Sequence, residues 1–206
     1  GLDATRLGMA AILRFCTAVA GVAAENMVRG GGFLFLDLGR RIERAQAVTH
    51  EVSIVLNLPP ARIESGLLLA LELCDSAITY RSRYLNVLQA APVLDLVLAD
   101  QANPRGLAFQ LVAMHGLLDE LGSESGVREM LAGSAAGLLA EVEMMVGEVL
   151  AAPDQASAAS ALPGRLAGFI AELEGLSSRI TRRYFAVLPA IQLVGTGETL
   201  ALRGVA

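Results

Sequence analysis

The sequence predicts an all-α fold, an up-down antiparallel bundle of about six long helices, on three observations. Apolar residues recur at helical spacing nearly everywhere. Alternation of β-branched residues is absent before the last dozen positions. Leucine and alanine, both strong helix formers, fill 69 of the 206 positions. With 54% hydrophobic and 18% charged residues the chain is too apolar to stay disordered. A chain this long fits one large domain or two small ones and buries roughly 70% of its unfolded surface, so it can hold a real core.

A first helix is expected from Asp3 to Met27, ended by Gly30-Gly31-Gly32, whose backbone is free to leave helical angles. The second runs from Phe33 to Leu56 and stops ahead of Pro59-Pro60, because the residue before a proline avoids the helical region. A third spans Ala61 to Leu88. Pro92 opens a short helix to Leu98, and Asn103-Pro104 reads as an N-cap with proline at the first helical position of a fourth helix reaching Leu121. The turn Gly122 to Gly126 leads to a fifth, Val127 to Leu150. Ala151 to Gly164 is the most linker-like stretch, Arg165 to Leu188 is the sixth helix, and 189–206 reads as an irregular tail.

Net charge is −5, and all 16 basic residues are arginine. An acidic chain is a poor nucleic-acid partner. The lack of lysine excludes a P-loop lysine, a Schiff-base lysine and an ATP-grasp lysine within this chain. Cys16 and Cys74 read as buried hydrophobes, with a cytoplasmic setting as the default. Arg14 and Pro189 interrupt the longest apolar runs, so no membrane span is expected. The opening at Gly1, with no initiator methionine or leader, predicts that the chain continues upstream. His50 and His115 lack metal-ligand spacing, no nucleophile can be assigned, and no cofactor motif is present.

The informative charges lie on the second and third helices. On a helical wheel Leu34, Leu38, Ile42, Ala45, Val52 and Leu56 form one stripe of the second helix, with Arg41 inside it and Asp37 and Arg44 at its edge. Leu36, Ala47 and Ile54 form a second apolar side, which predicts neighbours on both faces. In the third helix Asp75 interrupts the stripe of Leu67, Leu68, Leu71, Ile78 and Leu85, making it the natural interhelical partner of Arg41 or Arg44. Tyr80 and Tyr84 stack one turn apart beside Arg81 and Arg83, a group suited to a carboxylate, a phosphate or a ring. The plainer reading of these residues is a packed seam with polar tips.

Taken in order, Glu25-Asn26-Met27-Val28-Arg29-Gly30, the block Phe35 to Ala45, Asp75-Ser76, Thr79 to Leu85, Pro92 to Leu96, Asn103-Pro104-Arg105 and Phe109-Gln110 resemble the bacterial Alpha-E family. That family is a helical domain of unknown function named for a Glu-Arg motif, matched here by Glu43-Arg44. Beyond Gln110 the likeness rests mainly on Ile180 to Phe185. Phe33-Leu34 stand where the family tends to have Trp-Arg, and an earlier Glu-Arg stretch of the family has no counterpart here, so the resemblance implies that 1–206 is a single Alpha-E-like domain matching the later two-thirds of the family's. The resemblance implies association with circularly permuted ATP-grasp proteins, which join a carboxylate to an amine, and with transglutaminase-like peptidases. It therefore implies an accessory role in peptide formation or tagging. The rival is a pocket in which Arg40, Arg41, Glu43, Arg44, Asp75, Tyr80, Arg81, Arg83 and Arg105 converge on an acyl phosphate or peptide carboxylate, with Glu43 as general base. A third reading gives the polar seam only a structural part, fixing helix register.

Overall fold

The computed structural model describes residues 1–84, 87–121 and 125–185, the side chains of 125–129 excepted. All regular structure among them is helical. Helix α1 is Leu2–Asn26 and α2 is Gly31–Leu56, so the second and third glycines of the expected turn already belong to α2, with Gly30 extended at its cap. A 3-10 turn at Pro60–Arg62 leads into α3 (Ile63–Leu73). Then come α4 (Ala77–Tyr84), α5 (Ala90–Leu94) with a π-helical turn at Asp95–Ala99, and α6 (Leu107–Leu121). Helix α7 (Ser125–Ala151), the short α8 (Gln155–Ser160, capped by the Asp154 side chain) and α9 (Leu162–Tyr184) complete the described chain. The expected tail at 189–206 lies outside the described residues.

Four of these helices make the bundle. Gln101 meets Glu143 and His115 meets the Ala132 carbonyl, so α6 and α7 run antiparallel. Glu148 pairs with Arg165, which sets the end of α7 against the start of α9. Phe35 stacks edge-on against Tyr184 and Phe185 at 5.1 and 4.8 Å, which sets the start of α2 against the end of α9. The alternation closes a ring in which α2 and α6 are also antiparallel and in contact. Because α6 has only 15 residues against 26 in α2, it leaves the C-terminal half of α2 uncovered. α3, α5 and the π turn fill that space, and Val93, Leu94, Leu96, Val97 and Leu98 are all at most 1% exposed.

The expected stripe of α2, from Leu34 to Leu56, is buried throughout. Its second apolar side is not: Leu36, Ala47 and Ile54 face outward, since α6, α9, α3 and the π turn all lie toward one stripe of α2. The expected third helix is broken at Cys74-Asp75-Ser76, where Asp75 adopts φ 48, a left-handed turn that aspartate tolerates better than most residues. That break takes Ile78 off the buried stripe and leaves it 81% exposed. The expected linker Ala151 to Gly164 holds α8 and the start of α9.

Helix α1 stands apart from the bundle. Of its large apolar residues, Leu2, Leu7, Met9, Ile12, Leu13, Phe15, Val19 and Val22 are all exposed, and only Ala23 is buried. Arg14 does not interrupt it. It is one of two described helices long and apolar enough to cross a membrane. The other, Met130–Ala151, is a helix of the bundle core.

Candidate functional site

Most of the residues singled out from the sequence lie near the loop between the π turn and α6, at the waist of the bundle. Helical spacing places Asp37, Arg40, Arg41 and Arg44 on one side of α2. Arg41 reaches Asp37 at 3.3 Å and donates to the Gln110 side-chain oxygen of α6 at 3.2 Å, with its guanidinium 5.5 Å from the Phe109 ring. Its Nε is buried without a partner. Arg40 meets Asp37 at 3.7 Å and is half exposed. Glu43 points to solvent. Arg44 is partly buried and makes no hydrogen bond or ion pair with a described residue. Burial holds its guanidinium below the ordinary arginine value, and the charges of Arg40, Arg105 and Arg41 add to this while Asp37 opposes them.

Asp75 is not the buried partner of Arg41 or Arg44. The break between α3 and α4 turns its carboxylate outward, 76% exposed, where it meets Arg105 at 3.6 Å. Tyr80 is buried, and its hydroxyl is fully engaged: it donates to the Val87 carbonyl at 3.0 Å and accepts from the Gln89 amide at 3.1 Å. Its ring lies 5.1 Å from that of Tyr84, whose hydroxyl donates to Asp95 at 3.0 Å. Burial, the bond to Asp95 and that carboxylate's charge together raise the Tyr84 phenol. Arg83 pairs with Asp100, which raises it in turn. Arg81 is exposed at a groove of about 200 Å³ with Tyr80, Glu64 and Leu88.

The candidates thus divide. Arg40, Arg41 and Arg44 with Arg105 and Asp75 lie about the start of α6, Tyr80 and Arg83 brace α4 against the chain that follows, and Glu43 and Arg81 face solvent. The loop 100–106 joins the first two groups, because Asp100 holds Arg83 and Arg105 holds Asp75.

Sequence reasoning missed the two neutral side chains that shape this loop. Asn103 is not a helix N-cap: α6 begins four residues later, and the Asn103 amide donates to Ser76 Oγ at 3.0 Å and the Leu96 carbonyl at 2.9 Å. Its oxygen accepts from the Arg105 amide at 3.1 Å. Gln110 is fully buried and donates to the carbonyls of Pro104 at 2.8 Å and Gly106 at 3.2 Å while accepting from Arg41. Gly106 packs so closely that a Cβ there would sit 3.2 Å from the Val97 carbonyl. The available signal was the pairing of a polar residue with a proline and glycine loop, Asn103 to Gly106, directly before an apolar helix.

The Alpha-E family model, described as "a predicted alpha-helical domain with a conserved ER motif", matches residues 5–185. The only Glu-Arg dipeptide in the sequence is Glu43-Arg44, at the waist just described. This chain belongs to the Alpha-E family. Uncharacterized proteins of Mycobacterium tuberculosis (strain ATCC 25618 / H37Rv) and Mycobacterium bovis (strain ATCC BAA-935 / AF2122/97) are each 34% identical over 110 residues. That stretch is 52% of this Alpha-E chain but 12% of each relative. No solved structure matches it.

Proposed function

We propose that this Alpha-E domain is an accessory module of an ATP-grasp amide-ligase system, holding an anionic group of the substrate, a carboxylate or acyl phosphate, on the arginines of its waist. One observation supports the binding role above the others. Arg44 sits among Arg40, Arg41 and Arg105, partly desolvated, with no hydrogen bond or ion pair to a described residue. Planar guanidinium groups brought together at the cost of mutual repulsion match a bidentate oxyanion, which would reverse that repulsion. The ATP-grasp partner, and a transglutaminase-like peptidase in the same system, rest on the family resemblance alone.

A catalytic reading has less support. Glu43, its general base, faces open solvent, and the Tyr80 hydroxyl is committed to main-chain partners. The experiment is titration with inorganic phosphate and with a short peptide carboxylate, followed by the amide signals of 100–106. Arg44→Gln should abolish the response with the circular dichroism spectrum unchanged, and should lower ligation by the reconstituted ATP-grasp partner. Equal binding by Arg44→Gln would overturn the site. Undiminished ligation without the domain would overturn the accessory role.

A further inference from the structure

Helix α1 repeats apolar or small residues at alternating steps of three and four: Leu2, Thr5, Met9, Ile12, Cys16, Val19 and Ala23. These are the a and d positions of a heptad, a seam that one helix presents to another. Of its charged residues, Asp3, Arg14 and Glu25 fall at b, f and c, off the seam, and Arg6 flanks it at e. The pattern is one of pairing with a helix, since a surface-lying lipid-binding helix carries a basic polar face and these four charges cancel.

We infer that α1 is a self-association surface, on which a second copy of this chain packs its own α1 antiparallel. Three features of the helix choose the copy and the register. First, Ala23 is buried, so the open seam is Leu2 to Val19. Second, that open portion is its own complement when reversed: Met9 lies against the second copy's Ile12, Leu2 against its Val19, and Thr5 against its Cys16. Phe15, at g, then passes over the second copy's Gly8, around which an added Cβ meets nothing within 4 Å. Third, the size is right. Leu2, Met9, Ile12, Leu13, Phe15 and Val19 are each at least 46% exposed, and together they offer on the order of 700 Å² per copy, about what one side of a specific interface contributes.

Light scattering and sedimentation at tens of micromolar should find a dimer. Ile12→Glu should convert it to a monomer with the melting transition of the bundle unmoved, because α1 leaves the bundle core untouched. Register is read separately. Thr5→Cys under mild diamide oxidation should cross-link to the second copy's Cys16, whereas parallel packing would cross-link the unaltered chain through its two Cys16 thiols. A monomeric parent chain, a dimer that survives Ile12→Glu, or a cross-link in the unaltered chain would each overturn the proposal. So would cosedimentation of the parent chain, as a monomer, with phosphatidylcholine vesicles.

Discussion

Gln110 is the residue on which α2, α6 and the loop before α6 depend together, and Gln110→Leu removes all three attachments in one change. The substitution takes an acceptor from the Arg41 guanidinium and donors from the carbonyls of Pro104 and Gly106. A hydrogen bond to a charged group contributes about 1.5–3 kcal/mol, and a neutral one about 1. Arg41 stays 19% exposed and keeps Asp37, so its share belongs at the lower end of that range, and the added leucine methyls return roughly 1 kcal/mol by burial. The net expected loss is about 2–3 kcal/mol, which for a domain of this size lowers Tm by roughly 4–12 °C. Urea unfolding followed at 222 nm measures it, with Gln101→Ala as control because that amide meets Glu143 at the surface. A loss for Gln110→Leu no larger than the control's would refute the argument that the loop hangs on this side chain.

Asp75 occupies a left-handed conformation at φ 48 and makes only an exposed ion pair. Asp75→Gly should therefore unfold within about 1 kcal/mol of the parent, strain relief offsetting the lost pair, whereas Asp75→Val should cost at least 1 kcal/mol more; urea midpoints decide. At Gly66 an added Cβ would lie 2.5 Å from Leu58 Cδ1 and 3.0 Å from Val55 Cγ1. Gly66→Ala should thus destabilise by about 1–3 kcal/mol despite the better helix propensity of alanine, and an unchanged or raised Tm would contradict that close packing. Burial raises the Glu51 carboxyl, opposed by His50. Its folded pKa exceeds its unfolded one, so its stabilising contribution is complete below the unfolded value and is lost as pH rises through the folded value. Glu51→Gln should accordingly raise stability slightly at pH 7, by less than about 1 kcal/mol once solvent screening is counted, with the gap to the parent, read from urea midpoints, closing as the pH falls toward 4.5.

Helices α1, α2, α7 and α9 were readable to within a few residues because glycines, prolines and a long apolar period mark them. The break after α3 was not. Cys74-Asp75-Ser76 holds neither glycine nor proline, and the pattern that made Asp75 look buried assumed a helix that continues through it. Once that helix turns, Asp75 swings to the surface and Ile78 with it. The arginine cluster was legible on α2, where spacing along one helix fixes which side chains are neighbours. Its partners were not, because Gln110 and Asn103 act through main-chain carbonyls of a loop whose path no side-chain pattern encodes.

The two thiols of this chain live in opposite worlds. Cys74 is 2% exposed, and burial together with the charge of Glu51 pushes it up to about 12, while Cys16 is open on α1. With α1 unpaired, as in a dilute monomer, a maleimide therefore reaches one thiol in the folded molecule and two in the denatured one. Counting modified thiols by mass becomes a direct gauge of how much of a preparation is folded. A dye placed without any mutation arrives midway along α1.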